Sequence, residues 1–237
     1  MDNAIYAALT RQAGLMREMR TVANNMANSS TTGFRREGVV FSEHMTSLGL
    51  GRETLSMANA RGREVDLTPA SLSQTGGTYD VALERDGFFM VQTPQGNRLT
   101  RAGAFLTSPE GELINADGYR VLDEGQAPIA IPPGSRSVGI GTDGTISADG
   151  QPIARLGIFG QPDRSLLRHF GGTLFDAQGA EPLDEATVRQ GFLEDSNVNP
   201  VLEIARMIEV QRAYELGQSF LDSEDQRIRA AITATTR

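Results

Sequence analysis

Two stretches of helical apolar periodicity, one at each end of this 237-residue chain, constrain its fold most strongly. In the first, apolar residues recur at alternating steps of three and four, the spacing of a seam along one helix face. No proline interrupts residues 2–28, so the pattern predicts a helix of about 39 Å. The seam consists of Ile5, Ala8, Gln12, Leu15, Met19, Val22 and Met26, of which Gln12 is polar.

The C-terminal end repeats this pattern over a longer stretch. Asn199 and Pro200 form a helix start signal, because asparagine caps a helix and proline suits its first turn. No proline follows, so one helix of about 50 Å is predicted to run to about residue 232. Gly217 weakens this helix by about 1 kcal/mol relative to alanine. The seam residues, spaced seven apart, are Met207, Tyr214, Leu221 and Ile228.

The centre of the chain has a different pattern. Short apolar runs alternate with glycine turns, and the hairpin-turn pair Asp-Gly occurs four times, as is typical of a β-rich domain. The sequence therefore predicts an α+β fold in which the terminal helices pack as a coiled-coil-like pair around the β-rich domain. Its four segments are an N-terminal helix (1–28), an extended or partly disordered connector (29–77), the β-rich domain (78–190) and a C-terminal helical segment (191–237).

The two seams create a burial problem that one chain does not solve. Isolated helices are marginal in water, and two paired helices cover only one side of each other. Helices from neighbouring copies would cover the rest. We therefore expect the two ends to be assembly helices.

Composition excludes several classes of function. All 22 cationic residues are arginines, so a lysine Schiff base and a phosphate-loop lysine are excluded. The absence of cysteine excludes a thiol nucleophile and a thiolate metal site. His44 and His169 are too far apart in sequence to suggest a zinc site. A net charge of −8 with dispersed arginines argues against nucleic acid as a partner.

A carboxylate-dependent peptidoglycan hydrolase is the enzyme alternative. It needs two acids roughly 5 to 9 Å apart in a cleft. The candidates are Glu84, Asp86, Glu110 and Glu112, but Asp86 lies in a turn signal and Glu110 follows Pro109. We expect no catalytic residue, cofactor, metal site or small-molecule substrate. The first residues resemble neither a cleaved secretory signal nor a membrane-spanning run, so neither is expected.

The segment 24–36, with sequence NNMANSSTTGFRR, contains the most information. Asparagines are unfavourable inside a helix because their side chains compete for backbone hydrogen bonds, whereas at a helix end they are useful. One interpretation is a helix terminus followed by a turn at Gly33 that directs Phe34 away from the helix. The other is a subunit contact in which the amides bond to the backbone of a neighbour. The residues alone favour neither.

This segment closely resembles the N-terminal signature of bacterial flagellar rod and hook proteins. The resemblance continues, in the correct order, over nearly the whole chain. Within the family the chain is most similar to proximal rod proteins, with the distal rod type as the alternative. The further matching stretches are 80–92, 99–103, 112–119, 191–200 and 207–215.

The resemblance implies a structural subunit of the proximal rod, the torque-transmitting drive shaft that spans the periplasm. Family members place both terminal helices in an inner tubular layer with the β domain outside. They leave the cell through the flagellar type III export apparatus without a cleaved signal. The expected partners are therefore other rod proteins, proximal and distal, further copies of this chain and the export apparatus, without nucleic acid or membrane insertion.

The seams and the resemblance together predict the assembly interface. Leu15, Met19, Val22 and Met26 are expected to pack against the seam of the C-terminal helix and against adjacent subunits. The complete predicted set is Ile5, Leu9, Leu15, Met19, Val22, Asn24, Asn25, Met26, Ala27, Asn28, Thr32, Gly33, Phe34, Ile204, Met207, Tyr214, Leu221 and Ile228.

Overall fold

A computed structural model describes residues 2–47, 54–183 and 186–235. Across this part of the chain, two α-helices flank a long series of β-strands. The helices are α1 (Asp2–Ala27) and α2 (Pro200–Thr235). The strands are β1 (Glu37–Ser47), β2 (Thr54–Val65), β3 (Leu72–Gln74), β4 (Val81–Leu83), β5 (Phe88–Thr93), β6 (Gly96–Thr100), β7 (Phe105–Thr107), β8 (Leu113–Asn115), β9 (Arg120–Val121), β10 (Val138–Ile140), β11 (Thr145–Ala148), β12 (Gln151–Arg155), β13 (Ile158–Gly160), β14 (His169–Gly171), β15 (Leu174–Asp176), β16 (Glu181–Pro182), β17 (Val188–Gln190) and β18 (Phe192–Glu194).

The chain forms two compact units, and each is built from separate stretches of sequence. The first, which we call the helical unit, comprises residues 1–27, 37–64 and 199–237 and holds α1, α2 and the β1–β2 pair. The second, the β unit, comprises residues 28–36 and 65–198.

In the helical unit, α1 and α2 run antiparallel. Gln12 Nε2 donates to the Tyr214 carbonyl at 2.9 Å, and further along α1 Glu18 accepts from Arg206 Nε at 2.6 Å. The numbers in α2 therefore fall as those in α1 rise. Asn199 caps α2, because its Oδ1 accepts from the backbone N–H of Val201 at 3.1 Å.

In the β unit, the largest sheet of the described residues has the strand order β14-β15-β6-β5-β9-β8-β7, and β13 pairs with both β5 and β16. A second sheet has the order β10-β11-β12, and two smaller pairs join β17 to β4 and β18 to β3. All these pairings are antiparallel. The last pair places the end of the β unit beside the segment that follows β2.

Strand β5 lies at the centre of this unit and contributes to two apolar cores. Successive side chains of a strand point to opposite faces of a sheet. Phe89 and Val91 pack in one core with residues such as Ile129 and Ile146. Phe88 and Met90 pack in the other core. The continuous apolar run of β5 is thus explained by burial on both faces.

The predicted α+β class is confirmed, as are both helices. The structure places α1 at Asp2–Ala27 and α2 at Pro200–Thr235, close to the predicted bounds. Asp149 and Gly150 both have positive φ and join β11 to β12, as Asp-Gly predicts for a two-residue hairpin turn. Strands β1 and β2 lie within the segment 29–77 that was predicted as a connector. The division into four segments and the coiled-coil-like packing of the helices stay predictions. Neither described helix has the length and apolar character needed to cross a membrane.

Candidate assembly surface

The segment 24–36 contributes a residue to a buried polar cluster in each of the two units: Asn25 in the helical unit and Arg35 in the β unit. In the helical unit, Asn25 is fully buried at the end of α1. Its Nδ2 donates to the Glu37 carbonyl at 2.8 Å, and its Oδ1 accepts from the Glu37 N–H at 3.0 Å. Nδ2 also donates to Glu203 Oε2 of α2 at 3.2 Å. An amide is required here, because an aspartate could accept but not donate. Asn25 thereby joins α1, β1 and α2.

In the β unit, Glu194 is the centre of a buried ion cluster. Its Oε1 accepts from Arg35 Nη2 and its Oε2 from Arg101 Nε, both at 2.7 Å. The three side chains are only 1–3% exposed. The backbone N–H of Ala70 donates to Oε1 at 3.1 Å, so the carboxylate accepts three hydrogen bonds. Strand β18 is thus tied to three other stretches of the β unit.

Gly33 explains how Arg35 reaches this cluster. The Gly33 N–H donates to the Glu194 carbonyl at 2.8 Å, and its φ of 69° is one that glycine adopts without strain. A Cβ at this position would stand 2.3 Å from the backbone nitrogen of Ala102. Only a glycine allows the chain to pass this close to the Arg101–Ala102 backbone.

Two guanidinium groups share one carboxylate in this cluster. The pKa of Arg35 is lowered, because burial and the charge of Arg101 together outweigh the charge and hydrogen bond of Glu194. Arg35 Nη1 donates to the Thr68 carbonyl at 2.8 Å, whereas Arg101 Nη1 donates to the carbonyls of Arg85 and Gly87. The cluster therefore holds the surrounding loops as well as the strands.

The helical unit has a groove between α1 and α2. Small residues on both helices, among them Ala8, Ala213 and Gly217, leave a cavity of about 510 Å³. Leu216 and Phe220 form part of its apolar wall. Gln12 Nε2 is bonded to Tyr214, but its buried Oε1 has no hydrogen-bond partner among the described residues. The lining of the groove is thus mostly apolar, with Arg11 and Gln12 as its polar members.

Helix α2 leaves many large apolar side chains exposed. Val201 and Leu216 are 74% and 73% exposed, and further exposed positions follow along the whole helix. Two pairs of these residues, Ile204 with Ile208 and Leu216 with Phe220, lie one helical turn apart, and grouped exposed apolar side chains mark interaction sites. The exposed apolar residues of α2 are Val201, Leu202, Ile204, Ile208, Leu216, Phe220, Ile228 and Ile232.

The predicted interface residues fall into three groups. The assembly role of all of them stays a prediction, and the structure shows which are accessible in one chain. Leu15, Val22, Asn25, Gly33 and Phe34 are buried, the last two in the β unit. Ile5, Met19, Asn28, Thr32, Met207, Tyr214 and Leu221 are half-buried, and Leu9, Asn24, Met26, Ala27, Ile204 and Ile228 are exposed.

Sequence reasoning missed the charged members of the buried clusters, namely Arg35, Arg101, Glu194, Glu37 and Glu203. Arg35, Arg101 and Glu194 lie within stretches that carry the family resemblance. Charged side chains are rarely buried, so no pattern in the residues marks these five as interior.

Two of the four candidate hydrolase acids are paired with arginines in the described part of the chain. Glu112 accepts a hydrogen bond from Arg120 at 2.6 Å, and Glu84 forms an ion pair with Arg189. Asp86 and Glu110 are exposed. His169 packs between the rings of Phe34 and Phe175, and the side chain of His44 lies outside the described residues. The described residues contain no group of His, Asp and Glu that could hold a metal ion.

Comparison with known protein families gives matches in three parts of the chain, and all three agree with the resemblance seen in the sequence. Residues 5–35 match the family model described as flagella basal body rod protein. Residues 82–148 match the flagellar hook protein FlgE/F/G D1 domain, and residues 189–234 match the C-terminal model of flagellar basal body rod FlgEFG proteins. The three models thus cover α1, much of the β unit and nearly all of α2.

Individual relatives match over almost their full lengths. The flagellar basal-body rod protein FlgF of Caulobacter vibrioides is 37% identical over 98% of this chain and 97% of its own. The chain belongs to the flagellar basal-body rod protein family. Another rod protein of the same name, from Mesorhizobium japonicum, is 38% identical over 91% of this chain and 90% of its own. The rod protein FlgG of Bacillus subtilis is 28% identical over 98% of both chains.

Membership of the rod family defines the general function. The chain is a structural subunit of the flagellar rod in the basal body, and its role is in motility rather than in catalysis. The assignment to a FlgG-type subunit is no better supported than the FlgF-type assignment.

Proposed function

We propose that this rod protein is a subunit of the proximal rod and assembles through its terminal helices. Its partners are further copies of this chain and the neighbouring proximal and distal rod proteins, with which it forms a torque-transmitting shaft across the periplasm. It reaches the rod through the flagellar type III export apparatus. The two FlgF relatives described above are 37% and 38% identical to this chain, whereas FlgG relatives are 28–33% identical, and this difference supports the proximal type.

One observation carries the assembly proposal: α2 exposes apolar side chains along its whole length. Contact with α1 covers one side of α2, where Glu203 and Val210 are buried. Ile204 and Ile208, which lie one turn apart, remain exposed. A subunit that acted alone would leave this surface in water. Helices of neighbouring subunits are the simplest way to cover it.

The energetics favour a shaft built of many such contacts. Each large apolar side chain that becomes fully buried contributes about 1.5–3 kcal/mol. The groove between α1 and α2 can receive a side chain from a neighbour. Repetition of these contacts in every subunit makes the shaft stiff.

The test is a charge on the exposed surface of α2. Ile204→Asp should leave the isolated chain folded, because the residue is exposed, but prevent incorporation into the rod, because assembly would bury an unpaired carboxylate. Leu106→Asp is the matched control. Leu106 is also a large, exposed apolar residue, but it lies in β7 of the β unit.

The readouts are swimming motility and the amount of the subunit in purified basal bodies, at equal expression. We expect loss of both for Ile204→Asp and retention of both for Leu106→Asp. Normal motility of the Ile204→Asp strain would show that this face of α2 is not an assembly surface.

A further inference from the structure

Glycine follows four aspartates of this chain, and an Asp-Gly pair is reactive as well as suited to turns. The backbone nitrogen of the glycine can attack Cγ of the aspartate, because glycine has no side chain to hinder the approach. The attack is slowed when donors hold the carboxylate or when an acceptor holds the glycine N–H, since these hydrogen bonds must first break. The four pairs are 86–87, 117–118, 143–144 and 149–150.

Hydrogen bonds hold the second and fourth of these pairs. The Gly118 N–H donates to the Asn115 carbonyl at 3.0 Å, and Asn115 Nδ2 donates to Asp117 Oδ2 at 3.3 Å. Oδ1 of Asp149 accepts from two backbone N–H groups, both at 3.0 Å. Neither carboxylate is therefore free to turn towards the nitrogen of its glycine.

The third pair is held at both reacting groups. Thr145 donates to both carboxylate oxygens of Asp143, from its N–H at 3.1 Å and from its hydroxyl at 2.7 Å. These hydrogen bonds lower the pKa of Asp143, so the carboxylate stays ionised and is a poor target for a nucleophile. The Gly144 N–H donates to the Gly141 carbonyl at 2.9 Å.

The first pair has neither kind of restraint. Asp86 is exposed, and its carboxylate has no hydrogen-bond partner among the described residues. The Gly87 N–H has no acceptor in the described part of the chain either. Arg101 Nη1 donates to the carbonyls of Arg85 and Gly87, at 2.8 and 2.7 Å. The chain is thus anchored on both sides of the Asp86–Gly87 peptide group, which is itself not hydrogen-bonded to any described residue.

Water has access to this pair. Asp86 and Gly87 line a cavity of about 280 Å³, whose further lining residue Leu183 is exposed, as Asp86 is. Gly87 is buried, and a Cβ at this position would stand 3.0 Å from Ile158 Cγ2. We therefore expect the folded chain to react more slowly here than the unfolded chain, but faster than at the other three pairs.

We propose that Asp86 is the site at which the folded chain forms isoaspartate, and that this modification weakens the buried cluster of Arg101 and Glu194. The Gly87 nitrogen forms a bond to Cγ of Asp86, and the carboxyl OH and the amide proton leave as one water. The product is a five-membered succinimide. One water then adds to a ring carbonyl and breaks its bond to the nitrogen. Addition at Cγ restores aspartate, whereas addition at the α-carbonyl gives isoaspartate.

The link to the cluster follows from the longer main chain of isoaspartate. The chain then runs through Cβ and Cγ, which inserts one carbon between the two carbonyls that Arg101 Nη1 binds. Arg101 Nε also donates to Glu194 Oε2 at 2.7 Å. Arg101 cannot keep all of these bonds when the spacing of the two carbonyls changes.

The test compares the four pairs within the full-length chain. One sample is aged folded at neutral pH and another in concentrated urea, and isoaspartate in each peptide is measured by mass spectrometry after labelling with an isoaspartyl methyltransferase. In urea the four pairs should react at similar rates. In the folded chain Asp86 should react at least about fivefold faster than each of the others, the factor that one hydrogen bond corresponds to.

A pair of variants assigns the reaction to Asp86. Asp86→Glu should remove most of the methyl label of the folded chain, because glutamate would have to form a less favourable six-membered ring. Asp117→Glu is the matched control at another exposed Asp-Gly pair and should leave the label unchanged. The aged natural chain should also melt at a lower temperature than the fresh chain, whereas the Asp86→Glu variant should show no such difference.

Three results would count against the proposal. Reaction at Asp117, Asp143 or Asp149 as fast as at Asp86 in the folded chain would show that the hydrogen bonds do not select the site. Full labelling of the Asp86→Glu variant would place the isoaspartate elsewhere. Equal melting temperatures of aged and fresh chain, with Asp86 modified, would overturn the link to the buried cluster.

Discussion

Gly217 of α2 lies against the side chain of Gln12 of α1, so close that a Cβ on Gly217 would stand 2.5 Å from Gln12 Nε2. The same Nε2 donates to the Tyr214 carbonyl at 2.9 Å. The sequence alone marks Gly217 as a weak point of the helix. The structure shows instead that the missing side chain makes room for the polar residue of the facing seam.

This relationship predicts a coupling between the two positions. Gly217→Ala alone should change the free energy of unfolding by less than about 0.5 kcal/mol, because the better helix propensity of alanine is offset by displacement of Gln12. In a Gln12→Ala background, the same change should stabilise the chain by about 1 kcal/mol. Urea unfolding of the four variants of the double-mutant cycle measures this coupling, and purely additive effects would contradict it.

Glu194→Gln should strongly destabilise the β unit, because it leaves two buried arginines without a carboxylate. The expected loss of unfolding free energy is about 3–5 kcal/mol. Glu112→Gln is the control, since it breaks a pair with Arg120 in which the two side chains are 27% and 51% exposed, and it should cost less than about 1 kcal/mol. Urea unfolding followed by circular dichroism compares them. Equal losses would mean that the buried cluster contributes no more than a surface pair.

Asp66 should make part of the stability depend on acid pH. Burial raises its pKa, but hydrogen bonds from Thr68 and the charges of Arg36 and Arg35 together outweigh burial, so the pKa is lowered. A carboxyl with a lowered pKa in the folded state contributes stability above its unfolded pKa of about 3.9, and this is lost as the pH falls through the folded value. Asp66→Asn should therefore lower the melting temperature at pH 7 and have a smaller effect near pH 2. Equal differences at both pH values would contradict this.

Amide hydrogen exchange should become faster along α2 towards its C-terminal end. Near Glu203 and Val210 the helix has buried side chains, whereas the last turns from about residue 222 are exposed on nearly all sides. The antiparallel register with α1 also places these turns beyond the first residues of α1. Helical turns with few tertiary contacts open readily. Exchange measured by mass spectrometry on dilute monomer tests this, with β5 as the protected reference, and uniform protection over residues 200–235 would contradict it.

The sequence predicted well those elements whose signals are local. Apolar periodicity and the Asn199-Pro200 start signal predicted α1 and α2 to within a few residues. The short apolar runs between glycine turns likewise predicted the β-rich centre of the chain. In each of these elements, one stretch of sequence contains both the periodicity and the residues that start or stop the element. Its secondary structure can therefore be predicted without knowledge of any long-range contact.

The buried clusters could not be predicted in the same way, because their members are distant in sequence. Glu194 is 159 residues from Arg35 and 93 residues from Arg101. Strand β1 lies in a stretch with few large apolar residues, and its first residue is held by Asn25, which belongs to a helix. In both places tertiary hydrogen bonds determine the structure, and these have no counterpart in local propensity.

The division of each unit into separate stretches of sequence has a mechanical consequence. The backbone passes from one unit to the other after residues 27, 36, 64 and 198, so four covalent connections join them. Domains joined by one linker depend on that linker when they are pulled or twisted. Here a twisting load on either unit is divided among four segments of peptide chain, so no single connection bears the whole force.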